Sequence, residues 1–269
     1  MNDRLSLGVE LKTVLYKTLS DINSWFKANL LSLNINKTCL LHFRSNCNID
    51  NTLEINYMNT TITNIPSVKF LGLLVDDTLS WDRHINHIAS KLSSASYAIN
   101  QSINAVRTIT PLLSKNALKM LYFSYAHSVI SYGIIFWGNS TNSIKIFRLQ
   151  KKIIRIMTKS KKTESCRRLF KEMEILTFYS QYIFSLSMYV VNNVHLFMKN
   201  MEIHSHNTRS ANNLHVLTAN ITKYKKGPHY MGSKIFNHLP NCIKNLANKK
   251  KGFLKKHYKD FLLKMYFIL

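Results

Sequence analysis

The chain has 269 residues, 46% of them hydrophobic, enough to build a packed core and too many for wholesale disorder. Lys and Arg number 37 against 13 Asp and Glu, a net charge of +24. A field of that sign attracts polyanions, so nucleic acid is the expected partner, with an anionic membrane surface or a merely solvated basic exterior as the alternatives.

Cys39, Cys47, Cys166 and Cys242 are scattered without a C-x-x-C pair. That spacing implies neither a disulfide framework nor a zinc site, and it fits a reducing compartment. Met1–Glu10 carries charge where a signal peptide would turn apolar. The apolar run Val129–Trp137 is too short to cross a bilayer, and Asn192, Asn193 and His195 interrupt the run Ile183–Met198. The expectation is a soluble chain inside the cell, in cytoplasm or nucleus, without membrane contact.

In chain order, Leu15, Leu19, Ile22, Trp25 and Phe26 recur at helical spacing, and the helix they predict ends near Asn29. A short strand is expected over Cys39–Arg44. Leu53, Ile55 and Tyr57 alternate and predict one arm of a hairpin, with Asn59 at its turn and a return strand near Thr61–Ile65. Pro66 then precedes an apolar strand over Val68–Val75.

From Trp81 the period becomes helical, with Ile85, Ile88, Leu92, Ala95, Ile99 and Ile103 on one face. A second helix is expected over 110–130, where Thr110 can cap it and Pro111 sits at the first position. In "NSIKIFRLQKKIIRIMTK" Ile146, Leu149, Ile153 and Met157 face inward, and Lys145, Arg148, Lys151, Lys152 and Arg155 form the outer face. Two further helices are predicted in "SCRRLFKEMEIL" and "YSQYIFSLSMYVVNNVHLFMKN". A polar break over His204–Asn213 follows, then "GSKIFNHLP" and a Lys-rich helix near Phe253–Met265. The predicted fold class is α+β: a small hairpin-containing start followed by a mostly helical, basic remainder.

Asp76–Asp77 resembles the paired carboxylates with which a two-metal polymerase holds magnesium. Such a site needs a third carboxylate from another strand. The acids upstream, Asp3, Glu10, Asp21, Asp50 and Glu54, end no apolar core strand. The pair, with Asp82, is therefore expected to shape a turn and a helix start. His84 and His87 share a helix face without an H-E-x-x-H pattern, and His204 and His206 lie in a polar loop; no metal site is predicted. Phosphate-cradling glycine loops are absent from a sequence with 7 glycines.

The basic helices carry the stronger signal. "IKIFRLQKKIIRIMTKSKK" adds Lys159, Lys161 and Lys162 to the outer-face cations, and "KKKGFLKKHYKDFLLKMY" repeats the combination of Lys with aromatics. These cations can neutralise phosphates. Phe147 and Phe261 are read as core.

Several segments together resemble reverse transcriptases of non-LTR retrotransposons of the jockey and CR1 type. "INSWFKANLLSLNINKTCLLHF" is similar to their W-x-x-x-N-x-L-x-L-N-x-x-K-T segment, and "VKFLGLLVDDTLSWDRHI" to the F-L-G segment that follows. "SVISYGIIFWGNS" and "IFRLQKKIIRIMT" resemble Y-G-x-x-x-W-G and L-Q-K-x-x-x-R. "HNTRSANNLHV" and "GSKIFNHLPNCIKN" resemble the C-terminal T-R and N-x-L-P segments. The matches run in the family's order over nearly the whole chain.

The resemblance implies the end of a polymerase palm over 1–80, a helical thumb over 81–200 and a basic C-terminal extension over 201–269. It implies Lys37 near the phosphates of an incoming nucleotide, and Phe70, Leu71 and Gly72 in the primer grip, a hairpin holding the primer end. Gly72 is expected to permit close backbone approach. The family's catalytic aspartates belong to an early palm strand and an (F/Y)-A-D-D hairpin, neither of which occurs in these residues. This polypeptide is thus expected to hold RNA template and DNA primer without polymerising alone, with no bound cofactor and Mg2+ needed only by the full-length polymerase. The alternative is a non-enzymatic basic RNA- or DNA-binding protein derived from the element.

Overall fold

A computed structural model describes residues 2–44, 53–109, 114–204, 208–244 and 251–264. The fold is α+β, two small antiparallel hairpins followed by helices. It divides into two compact units, Met1–Ser80 and Trp81–Leu269.

The first unit opens with helix α1 (Asn2–Ala28). It stops where Leu30 turns left-handed (φ 56°) and the amide of Asn29 caps back onto the carbonyl of Trp25. Strands β1 (Glu54–Tyr57) and β2 (Thr60–Thr63) pair with Ile55 opposite Ile62, both buried. Their turn is Met58–Asn59, both at positive φ, the conformation that suits the twist of a two-residue hairpin. Residues 39–44 do not form the expected strand. They run beside the second hairpin arm through a single bridge, Leu40 to Asn64, and the side chain of Asn64 accepts from the His42 N–H.

The expected strand Val68–Val75 is instead folded in two. β3 (Ser67–Phe70) and β4 (Leu73–Asp76) pair antiparallel, with Leu71 (φ 45°) and Gly72 (φ 83°) at the turn. Gly72 supplies the positive φ that this turn requires, which L side chains adopt only at a cost.

In the second unit α2 (Asp82–Ile109) buries the whole predicted face, Ile85, Ile88, Leu92, Ala95, Ile99 and Ile103. Burial of each large aliphatic side chain is worth about 1.5–3 kcal/mol, so this stripe fixes the helix against its neighbours. The expected cap at Thr110 and Pro111 lies outside the described residues. The next helix, α3 (Lys115–Tyr122), is capped by Ser114, whose hydroxyl accepts from the Ala117 N–H.

A π-helical turn over Phe123–His127 joins α3 to α4 (Ser128–Ser131). The sequence explains it. Leu118, Tyr122, Ala126 and Ile130 are all buried and spaced by four. On a regular α-helix that spacing drifts about 40° per step, and a wider turn returns the later residues to the inward face.

Gly133 (φ 59°, ψ 15°) then reverses the chain into α5 (Ile134–Trp137). The reversal lets the indole N–H of Trp137, fully buried, donate to the Tyr132 carbonyl at 3.0 Å. Next come α6 (Ile144–Thr158), α7 (Cys166–Met173) and α8 (Phe178–Asn192). The predicted continuation of α8 to residue 200 fails at Asn193, whose side-chain amide bonds the Tyr189 carbonyl and closes the helix.

The remaining helices are α9 (Asn200–Ile203), α10 (Thr222–Lys225), α11 (Pro228–Asn237), α12 (Asn241–Lys244) and α13 (Lys251–Lys264). Of these, α11 and α13 pack on α8; Ile243 of α12 joins Phe184, Leu254, Tyr258 and Leu262 in one cluster, and Val190, Phe197 and Leu214 form another against Phe236 of α11. Phe261 stacks partly buried on Tyr258. Among the described residues no helix is long and apolar enough to cross a membrane.

Buried between Trp81 and Trp137, His84 makes edge contacts with both rings at 6.0 and 5.7 Å. Burial, reinforced by the charges of His87 and Lys91, pushes its pKa from 6.5 down to about 4. The unfolded chain binds this proton more readily, so the contribution of His84 is fully present above pH 6.5 and lost as pH falls through 4. We expect urea midpoints to drop over that window by an amount equivalent to about 3 kcal/mol. His84→Phe should flatten the dependence; an equally steep loss in that variant would place its origin elsewhere.

Candidate nucleic-acid interface

The aspartate pair is committed to structure. Asp76 Oδ2 accepts from the Thr78 hydroxyl (2.6 Å) and the Ser80 N–H (2.8 Å), closing the turn after β4. Asp77 Oδ2 takes the Arg44 Nε at 2.7 Å, while the Asp77 carbonyl accepts the Arg44 N–H and its own N–H donates to Pro66. Both carboxylates are buried, and their bonds to Thr78, Ser80 and Arg44 give them a part in the turn and in fixing Arg44 beside it. Asp82 lies in the first turn of α2 and accepts from the Asn142 amide, tying that start to the segment before α6. No group of three or more His, Cys, Asp or Glu with metal-holding geometry occurs among the described residues.

In the first unit Lys37 ends a short 3-10 turn, Ile35–Lys37, held by Asn34, and its side chain is exposed. Phe70 and Leu71 project at the tip of the β3–β4 hairpin, 62% and 75% exposed. A leucine held at positive φ costs roughly 1 kcal/mol, and its side chain gains little burial in return.

In the second unit the motif-bearing residues sit at joints. Gln150 is buried on α6 and has three partners: its Nε2 donates to the Tyr122 hydroxyl (2.8 Å) and the Leu176 carbonyl (2.9 Å), and its Oε1 accepts the Phe178 N–H (2.8 Å). It therefore ties α3, α6 and the start of α8 together. Burial raises the Tyr122 pKa, so its hydroxyl stays neutral and can serve as acceptor. Asn237, in the N-x-L-P segment, brackets Leu214 by accepting its N–H at 2.9 Å and donating to its carbonyl at 2.8 Å. One side chain thus substitutes for a strand partner and links the two C-terminal segments.

The cations predicted as one outer face separate into two groups. Lys145, Arg148 and Lys152 are exposed, Lys145 also reaching Asn86 on α2. Lys159, Lys161 and Lys162 are exposed in the turn after α6, where Lys159 adopts a left-handed cap (φ 55°).

Phe147, Lys151 and Arg155, one row of α6 at spacing four, instead line a cleft of about 1080 Å3. Phe147 is half-buried there instead of in the core, with Tyr179 edge-on at 5.2 Å and the Lys151 ammonium 4.6 Å over its ring. Arg155 is partly engaged, since its Nε and Nη2 donate to the Glu164 carbonyl at 3.0 and 2.9 Å and pin the loop between α6 and α7. Arg167 from α7 and Lys226 from the end of α10 complete the basic lining. Sequence reasoning missed Arg167, Lys226 and Tyr179, because no local pattern joins residues from such separate helices.

Comparison of the chain with protein-family models, with curated proteins and with solved structures gives no match.

Proposed function

We propose that this chain is the C-terminal part of a non-LTR retrotransposon reverse transcriptase, a palm end, thumb and C-terminal extension that hold template and primer. The observation that carries the reading is where the family-like residues fall. Gly133, Trp137, Gly138, Gln150 and Asn237 occupy joints on which the second unit depends. A pattern with a folding reason at each point is poorly explained by composition alone. The excess of cations supplies the matching chemistry, since exposed Lys and Arg bind phosphates by releasing counterions.

Within this reading, Lys37 lies near the phosphates of the incoming nucleotide, and Phe70, Leu71 and Gly72 grip the primer end. The exposed hairpin tip supports that role, because a left-handed Leu71 contributes little to a core. The chemistry of strand synthesis belongs to carboxylates outside these residues.

The test is binding of an RNA–DNA duplex across a salt series. Arg148→Glu with Lys152→Glu should weaken binding at least tenfold and flatten the log–log salt slope by about 1.8, at roughly 0.9 per lost phosphate contact. Wild-type affinity in that variant would remove this face from the interface. The pure polypeptide should extend no primer; magnesium-dependent extension would overturn the assignment of roles.

A further inference from the structure

The cleft on the second unit is lined by four cations, Lys151, Arg155, Arg167 and Lys226, and, among the described residues, by no carboxylate. Three cations of this unit outside the cleft are met by acids: Glu174 receives Lys115 and Lys119, and Glu172 receives Arg168. The four cleft cations form no ion pair among the described residues. Although Glu164 lies close enough to act on Cys166 beside Arg155 and Lys151, the lining keeps a net positive charge that favours an anion.

The helix starts reinforce the same field. Ser165 and Cys166 open α7, and Thr177, Tyr179 and Ser180 belong to the first turn of α8; all five line the cleft. The positive ends of two helices therefore border the four side-chain cations. Among the lining residues, Tyr182 is buried and its hydroxyl has no hydrogen-bond partner among the described residues. Its phenol is kept protonated by burial, so the hydroxyl behind this wall is neutral.

Aromatic surface separates one class of anion from the others. Phe147 and Tyr179 are half-buried on the wall beside Lys151, with Phe170 stacked behind Phe147 at 6.3 Å. Inorganic phosphate or an acidic peptide would satisfy the cations and leave these rings without a planar partner. A duplex keeps its base faces inside its own stack, whereas an unpaired strand offers phosphates and bases together.

We infer that this cleft binds a single-stranded run of nucleic acid, its phosphates on Lys151, Arg167 and Lys226 and a base stacked at Tyr179 and Phe147. The inference rests on the nucleic-acid reading above and narrows it to one form of ligand at one place. Lys151 rests over the Phe147 ring in the free protein, and its ammonium transfers to a phosphate as the base takes that position.

The experiment is fluorescence anisotropy of a labelled oligouridine of about eight nucleotides, alongside an abasic oligomer of equal length and an RNA–DNA duplex. The wild-type protein should hold the oligouridine about tenfold more tightly than the abasic strand. Tyr179→Ala should abolish that preference, leaving the abasic affinity in place. Arg167→Glu with Lys226→Glu should weaken both single strands and reduce the salt slope by about 1.4, at roughly 0.7 per phosphate. Circular dichroism checks that each variant is folded. Equal affinity for oligouridine and abasic strand, or wild-type affinity in the folded charge variant, would overturn the cleft assignment. Duplex binding without single-strand binding would also overturn the cleft alone. Failure to bind either form at about 50 mM salt would overturn the nucleic-acid reading itself.

Discussion

Gln150→Leu should destabilise the second unit by about 3–5 kcal/mol, read as a lower urea midpoint at unchanged slope. Leucine fills much of the same volume, so the loss would come from partners and not from a cavity. The Phe178 N–H, the Leu176 carbonyl and the Tyr122 hydroxyl would all lose a bond in a buried setting, each at roughly 1–3 kcal/mol. Gln150→Glu should also destabilise, because its carboxylate can still accept the Phe178 N–H but sets a buried, unpaired charge against the Leu176 carbonyl. A change below about 1 kcal/mol in the leucine variant would show that these bonds are not the joint described.

Gly138→Val should cost about 3 kcal/mol or more, for a different reason. The backbone at Gly138 is ordinary (φ −63°), so left-handed geometry is not at issue. A Cβ placed there would stand 2.5 Å from Cδ2 of the Tyr182 ring and 2.6 Å from the Ile134 carbonyl oxygen. The carbonyl is backbone and accepts the Gly138 N–H, so it cannot withdraw without opening the end of α5. Relief must come from moving Tyr182, on the wall of the cleft. Gly138→Ala should show the same effect at smaller size, by thermal unfolding. An alanine variant as stable as the wild type would mean that α5 and α8 shift apart without penalty.

Much of the fold was legible because its signals are local and periodic. The stripe from Ile85 to Ile103 sets a helix by its spacing alone, and it is buried throughout. Asn59 marked the first hairpin turn because asparagine tolerates positive φ. The second hairpin was hidden from periodicity for the opposite reason. Leu71 is a poor turn residue, so Gly72 alone punctuated an apolar run that otherwise reads as one strand; only the family resemblance implied a hairpin there. Asn193 ended α8 through a bond to its own helix, a choice that a polar residue in an apolar run does not declare.

The site divides along the same line. The charges of α6 were visible, but which of them face solvent depends on the angle at which α7 and α8 cover one side. That geometry sends Lys151 and Arg155 into the cleft and leaves Arg148 and Lys152 outside. The acidic pair shows the converse. Asp76 and Asp77 imitate a catalytic signature in sequence, and their hydrogen bonds to Thr78, Ser80 and Arg44 give each a structural task.

The polymerase reading is tested first by the coding sequence immediately upstream of Met1, read in the same frame from the transcript. If the polymerase reading is right, that frame encodes an (F/Y)-A-D-D hairpin just ahead of α1 and an aspartate-bearing strand before it. Lys37 and the Phe70–Gly72 turn would then flank an active site, and their substitution in that longer protein should impair primer extension. An upstream frame that encodes a different domain, or a stop codon in its place, would contradict the claim that this chain serves as the end of a polymerase.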